Sequence, residues 1–215
     1  MKRTTRRFAV LTLALVLLSF VNISLPQPVR SASRILSVPI YKQHLIEGET
    51  SSQWCWAASS IMVLNYFGIR LPTTSPQGGG YPTQQCTFVR DVTQFRYCVN
   101  TTGDIYDVKY GLNIWGLLAN ADLGWWSYTG VRSQINLGRP MIAAWTWGLS
   151  GTGHMVVIKG YEDYSSTTSD GYVWFNDPNH SNPTHYKWKH SELKYGHEEY
   201  DYTNAWVATV RDIRP

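Results

Sequence analysis

Cysteine is scarce in this 215-residue chain, and the three present, Cys55, Cys86 and Cys98, form no Cys-x-x-Cys knuckle. No helical stretch carries His-x-x-x-His, and His180, His185, His190 and His197 fall in segments that read as surface loop and strand. Neither a metal site nor a cofactor is therefore expected. Apolar runs are also few. After Phe8–Val21 nothing is apolar enough to cross a bilayer. There is no internal repeat, and the one biased stretch, Ser165–Asp170, reads as the tip of a hairpin.

The early apolar run follows a basic cluster of Lys2, Arg3, Arg6 and Arg7 and leads to the small residues Ser31, Ala32 and Ser33. That layout is expected of a secretory signal peptide over residues 1–33, and the run is short for a membrane anchor, which needs about 20 residues. Removing the segment takes away Lys2, Arg3, Arg6, Arg7 and Arg30 and no acidic residue, so the formal charge of +4 becomes −1 (14 basic against 15 acidic). The basic excess belongs to export. We therefore expect a secreted protein with no nucleic-acid partner and no stable membrane association once the signal is gone. Residues 34–215 suffice for one globular domain with a sizeable core. Its ten tryptophans sit mostly in alternating or apolar runs such as Ala143–Trp147 and Tyr172–Phe175, which favours core or cleft walls over a sugar-binding face.

An odd cysteine count in an exported chain leaves one thiol to explain. Cys86 and Cys98 close a short loop and are the natural disulfide pair, leaving Cys55 free. Cys55 lies in Trp54-Cys55-Trp56-Ala57-Ala58-Ser59, just ahead of an amphipathic run that stops at Gly68. This sets a thiol at the first turn of a helix, where unpaired N–H groups and the helix dipole favour thiolate. Ninety-nine residues on (154 − 55 = 99), His154 opens the strand-like run Met155–Tyr161. A nucleophile and its base are expected at these two positions.

Patterning divides the chain. A short extended segment is expected over Ile35–Tyr41, with Pro39 arguing against a full strand, followed by helices over Cys55–Phe67, about Phe88–Phe95, Asp104–Asn120 and Thr129–Leu137. Strands are expected over Met141–Trp147, Met155–Tyr161, Tyr172–Asn176, Thr184–Lys189 and Ala205–Val210. Helices first and strands later predict an α+β fold, an N-terminal helical lobe packed on a C-terminal antiparallel sheet.

Cys55-Trp56-Ala57-Ala58-Ser59, and His154 followed by Val156, Gly160 and Tyr161, resemble the papain-like cysteine peptidases. The likeness is greatest to compact secreted bacterial members with a WCWAA motif, of the staphopain-like and bacteriocin-processing kind. It implies a papain-like fold and an endopeptidase acting on a protein or peptide. In such compact forms the third catalytic member follows the next strand in an Asn/Asp-Pro turn, here Asn176-Asp177-Pro178. Asp177 would orient His154, with Asn176 the competing choice because papain uses Asn. The family's oxyanion hole joins the cysteine N–H to a Gln six residues earlier, but that position is Glu49 here. Gln43, in Val38-Pro39-Ile40-Tyr41-Lys42-Gln43, fits the family's lead-in if the loop has gained residues, and Gln53 is the alternative. Two other functions share these motifs, a cell-wall peptide amidase with the same Cys-His machinery and an inactive binding module. Trp125, Trp126 and Trp147 are candidates for the cleft lining. With about twenty residues between the signal and Cys55, restraint would fall to a separate inhibitor or to the loop His44–Gln53 rather than to a long pro-segment.

Overall fold

The computed structural model describes residues 32–45, 52–75, 82–147, 152–164, 169–179, 185–196 and 204–215. Most of the expected signal segment lies outside these residues, as does the greater part of the loop after His44, including Glu49. Within them the strands β1 (Ser33–Ile35), β2 (Leu118–Leu123), β3 (Met141–Trp147), β4 (Thr152–Asp163), β5 (Gly171–Asn176), β6 (His185–Lys189) and β7 (Asn204–Arg214) form one antiparallel sheet. Its order is β2-β7-β3-β4-β5-β6, and β1 continues the lane of β3 along β4: Met141 faces Ile158, and Ile35 faces Gly160. The expected domain start at residue 34 falls inside β1.

Five helices complete the described fold: α1 (Cys55–Tyr66), α2 (Gln84–Thr93), α3 (Ile105–Ile114), α4 (Tyr128–Asn136) and α5 (His190–Tyr195). Helices α1–α3 precede most of the sheet as the sequence pattern expects, while β1, β2 and α5 break a strict helices-then-strands order, and the papain-like α+β class holds. Helix α1 is central. Every residue from Trp56 to Asn65 is buried, so it is enclosed on all sides rather than amphipathic. It ends at Gly68, whose φ of +80° permits the left-handed turn. Ile69 N–H then bonds the Leu64 carbonyl and Gly68 N–H the Asn65 carbonyl, a Schellman closure.

Several boundaries differ from the sequence expectation. Helix α2 begins four residues before Phe88 because the Thr83 side chain caps it, accepting from Gln85 N–H. Ser127, not Thr129, caps α4. The helix expected through Asn120 stops after Ile114, where Gly116 at φ +90° turns the chain, and residues Leu118–Leu123 become the edge strand β2 against β7. In the N-terminal segment only Ser33–Ile35 forms a ladder. Beyond Leu36, whose N–H bonds the Lys159 carbonyl, the chain leaves the backbone ladder and runs past Pro39 without strand pairing.

Candidate active site

The two tryptophans around Cys55 explain why the motif needs both. Trp54 donates its indole N–H to the Val99 carbonyl (2.9 Å), and Trp56 donates to the Thr101 carbonyl (3.0 Å). The start of α1 is thereby strapped to the segment that follows Cys98. That segment is itself tied to α2 by the Cys86–Cys98 disulfide, leaving Cys55 as the free, half-buried thiol. Gly103 lies so close to the Trp56 ring that a Cβ there would meet Trp56 Cδ2 at 2.4 Å. Ser59 closes the motif by donating from Oγ to the Met155 carbonyl (3.1 Å), joining α1 to β4 one residue past His154.

On β4, His154 stands opposite Trp145 of β3, whose ring meets the imidazole edge-on with centroids 6.1 Å apart. His154 Nε2 lies 2.6 Å from Asp177 Oδ1, and the ring is also hydrogen-bonded to Cys55. With Nε2 engaged by the carboxylate, Nδ1 is the nitrogen left for the thiol. Burial pulls the imidazole pKa down, but hydrogen bonds and charge interactions with Asp177 and Cys55 outweigh it, and His154 is raised to about 10. Asp177 Oδ1 also accepts from Asn179 N–H (2.8 Å), so the Asp-Pro turn fixes the carboxylate that meets the ring.

The structure separates the two candidates at the turn. Asn176 is fully buried and directs its Nδ2 donors to the carbonyls of Val38 (3.2 Å) and Pro39 (3.1 Å) on the N-terminal segment. The residue that meets the imidazole Nε2 is Asp177. The two glutamines part in the same way. Gln43 donates one Nε2 hydrogen to the Ser52 carbonyl (2.9 Å), which leaves the second N–H of the amide for a ligand. Gln53 is exposed and held through its backbone N–H to Asn100 Oδ1. A cleft of about 960 Å³ brings Gln43, Ser52, Gln53, Cys55, Trp56, Gly103, Asp104 and His154 together, so both glutamines line it. Trp125 and Trp126 lie elsewhere, under Lys194 and Arg211 respectively, and the Trp147 side chain is outside the described residues. A smaller hollow of about 510 Å³ between α2 and α3, lined by Arg90, Phe95, Tyr110 and Trp115 among others, contains neither the thiol nor the imidazole.

No group of three or more His, Cys, Asp or Glu able to hold a metal occurs among the described residues. His190, one of the four late histidines, is buried with Nε2 2.7 Å from the Trp126 carbonyl. Reasoning from sequence missed the anchoring contacts of Ser59, Gln85 and Asn176. Each is a polar side chain whose partner is a distant backbone carbonyl or amide, and no spacing rule announces such a pair.

Comparison with known proteins places the chain in a family. The model of the Peptidase_C39 like family matches residues 35–211, which span the site and nearly all of the sheet. No curated protein matches the chain. Among solved structures it is similar to a double glycine motif protease from an AMS/PCAT transporter, crystallised in complex with the leader peptide. The likeness is at 16% identity and a TM-score of 0.40, over 84% of this chain and 98% of that one.

Proposed function

Because the chain belongs to the Peptidase_C39 like family and is a cysteine peptidase, we propose that it is an exported endopeptidase in which Cys55, His154 and Asp177 carry the reaction. The observation that carries this reading is the line of contacts from Cys55 through the His154 ring to Asp177, with 2.6 Å at its second link. In the proposed reaction the Cys55 sulfur attacks the substrate carbonyl while His154, protonated at Nδ1, stands ready to protonate the leaving amine. Asp177 holds the ring and its charge. The oxyanion of the tetrahedral intermediate takes the Cys55 backbone N–H, which at the first position of α1 has no intrahelical acceptor, and the second Nε2 hydrogen of Gln43. Water then releases the acyl group.

Export rests on the basic cluster, the apolar run and the small residues ahead of β1. The Cys86–Cys98 disulfide agrees with an oxidising compartment. The experiment is digestion of unfolded casein by the purified protein, with purified peptidoglycan beside it. Casein cleavage that vanishes in Cys55→Ala is expected. Release of cell-wall peptides with intact casein would move the same machinery to a peptide amidase, and hydrolysis of neither would refute the reading.

A further inference from the structure

Gln43 is a flexible side chain on a segment outside the sheet, yet an oxyanion donor must be aimed. Its amide is fixed at Nε2 alone, by Ser52, while Oε1 is buried with no partner among the described residues. The direction of the second N–H therefore depends on where the backbone of residue 43 is held.

Two buried amide side chains do that holding, from opposite sides. From the sheet, Asn176 at the end of β5 donates to the carbonyls of Val38 and Pro39, and the Pro178 carbonyl two residues later accepts from Gln43 N–H (2.8 Å). From the helical lobe, Gln85 beside the disulfide brackets Gln43: its Nε2 donates to the Lys42 carbonyl (2.8 Å) and its Oε1 accepts from His44 N–H (2.9 Å). Both side chains are buried, Asn176 completely and Gln85 at 5% exposure. A buried amide is costly unless it is paired, and these two place their pairing on one segment, Gln85 on the residues either side of Gln43 and Asn176 on Val38 and Pro39 a few residues upstream. Neither residue lines the cleft.

We infer that Asn176 and Gln85 are positioning residues, a two-sided clamp that aligns Gln43 with Cys55 for the transition state. The inference rests on the proposed oxyanion role of Gln43. Because the clamp acts on a donor needed only once charge develops on oxygen, its loss lowers kcat with little change in KM. Small misplacements of such groups cost on the order of 100-fold, so a 10-fold to 100-fold fall in kcat is expected.

The test is a double-mutant cycle of Asn176→Leu and Gln85→Met, each near-isosteric and apolar, in wild-type and Gln43→Ala backgrounds, read as kcat, KM and the pH profile. Each clamp variant should lower kcat in the wild type, lose most of that effect once Gln43 is gone, and leave the alkaline limb of the profile in place. A full-sized loss on top of Gln43→Ala, or a shifted limb, would mean that the residues act on the fold or through Asp177, and would overturn the clamp. Wild-type kcat in both clamp variants beside a large loss in Gln43→Ala would overturn the clamp while leaving the oxyanion assignment. Wild-type kcat in Gln43→Ala would remove that assignment and the clamp together. Should neither clamp variant fold, native-state hydrogen exchange of the unaltered protein decides: the Gln43 and His44 amides should be protected like those of β5, and exchange at the rate of an open chain would refute the inference.

Discussion

A buried imidazole is ordinarily hard to charge, and His154, enclosed beside Trp145, is nonetheless held protonated to about pH 10 by its contacts with Asp177 and Cys55. The sign of the pH effect follows. The reaction needs the imidazolium to protonate the leaving amine, so kcat/KM should fall as pH rises through about 10. In Asp177→Ala the carboxylate's share of the upward pull is lost while burial and the Cys55 contact remain, so the alkaline limb should move to lower pH with residual activity retained. A limb that stays put in that variant would show that Asp177 does not hold the ring's charge. Cys55→Ala and His154→Ala should each leave no measurable hydrolysis. Gln43→Ala should lower kcat by about 100-fold to 1000-fold, the usual cost of one oxyanion donor, whereas exposed Gln53→Ala should cost no more than a few-fold. The reverse order in steady-state kinetics would transfer the role to Gln53.

At the scale of the element, helix α1 depends on a strap that is not part of it. Residues 99–103 accept both indole donors, lie flat against Trp56 at Gly103, and are anchored at Cys98. Gly103→Ala would drive a Cβ into the buried Trp56 ring, so a loss of about 1–3 kcal/mol is expected from overpacking, measured as a lower denaturant midpoint. An unchanged midpoint would mean the strap yields freely. Replacing both Cys86 and Cys98 by serine should cost about 3 kcal/mol on the chain-entropy scale, with peptidase activity at low temperature falling less than stability. Helix α1 was readable because its motif, its apolar run and its Gly68 stop are all local. Strand β2 was not. Leu112, Trp115 and Leu118 continue one helical spacing across Gly116, and only pairing with β7, some 90 residues away (Asp122 with Thr209), makes residues 118–123 a strand.

For the whole molecule, the same titration that tunes the site links stability to pH. His154 rises from 6.5 unfolded to about 10 folded, so its contribution is fully present below pH 6.5 and is lost as pH climbs through about 10. Lys159, buried on the same strand and lowered by that burial to about 8, works in the opposite sense, stabilising increasingly as pH rises from about 8 towards 10.5. The two partly offset in the raw curve. The difference in unfolding free energy between wild type and His154→Gln isolates the histidine: it should shrink steadily from pH 6.5 to 10. A difference independent of pH would show that the imidazole is not held charged in the fold.

The sequence by itself determined the α+β class, the free thiol at a helix start, the histidine at a strand start and the Asn-Asp-Pro turn that follows the next strand. Those features are carried by neighbouring residues, or by patterns of period two and 3.6 that local chemistry imposes. The folded chain settled which of two adjacent turn residues meets the imidazole, since it sets Nε2 of His154 beside the Asp177 carboxylate and the carbonyls of Val38 and Pro39 beside the Asn176 amide. It likewise sets Gln43 and Gln53 in different surroundings, the Gln43 amide on the Ser52 carbonyl and Gln53 exposed with only its backbone N–H held by Asn100, a difference that sequence distance from Cys55 does not measure. A hydrogen bond selects by distance and direction in space, and the cleft draws its groups from the N-terminal segment, α1, β4 and the turn after β5, whose mutual placement no local pattern encodes.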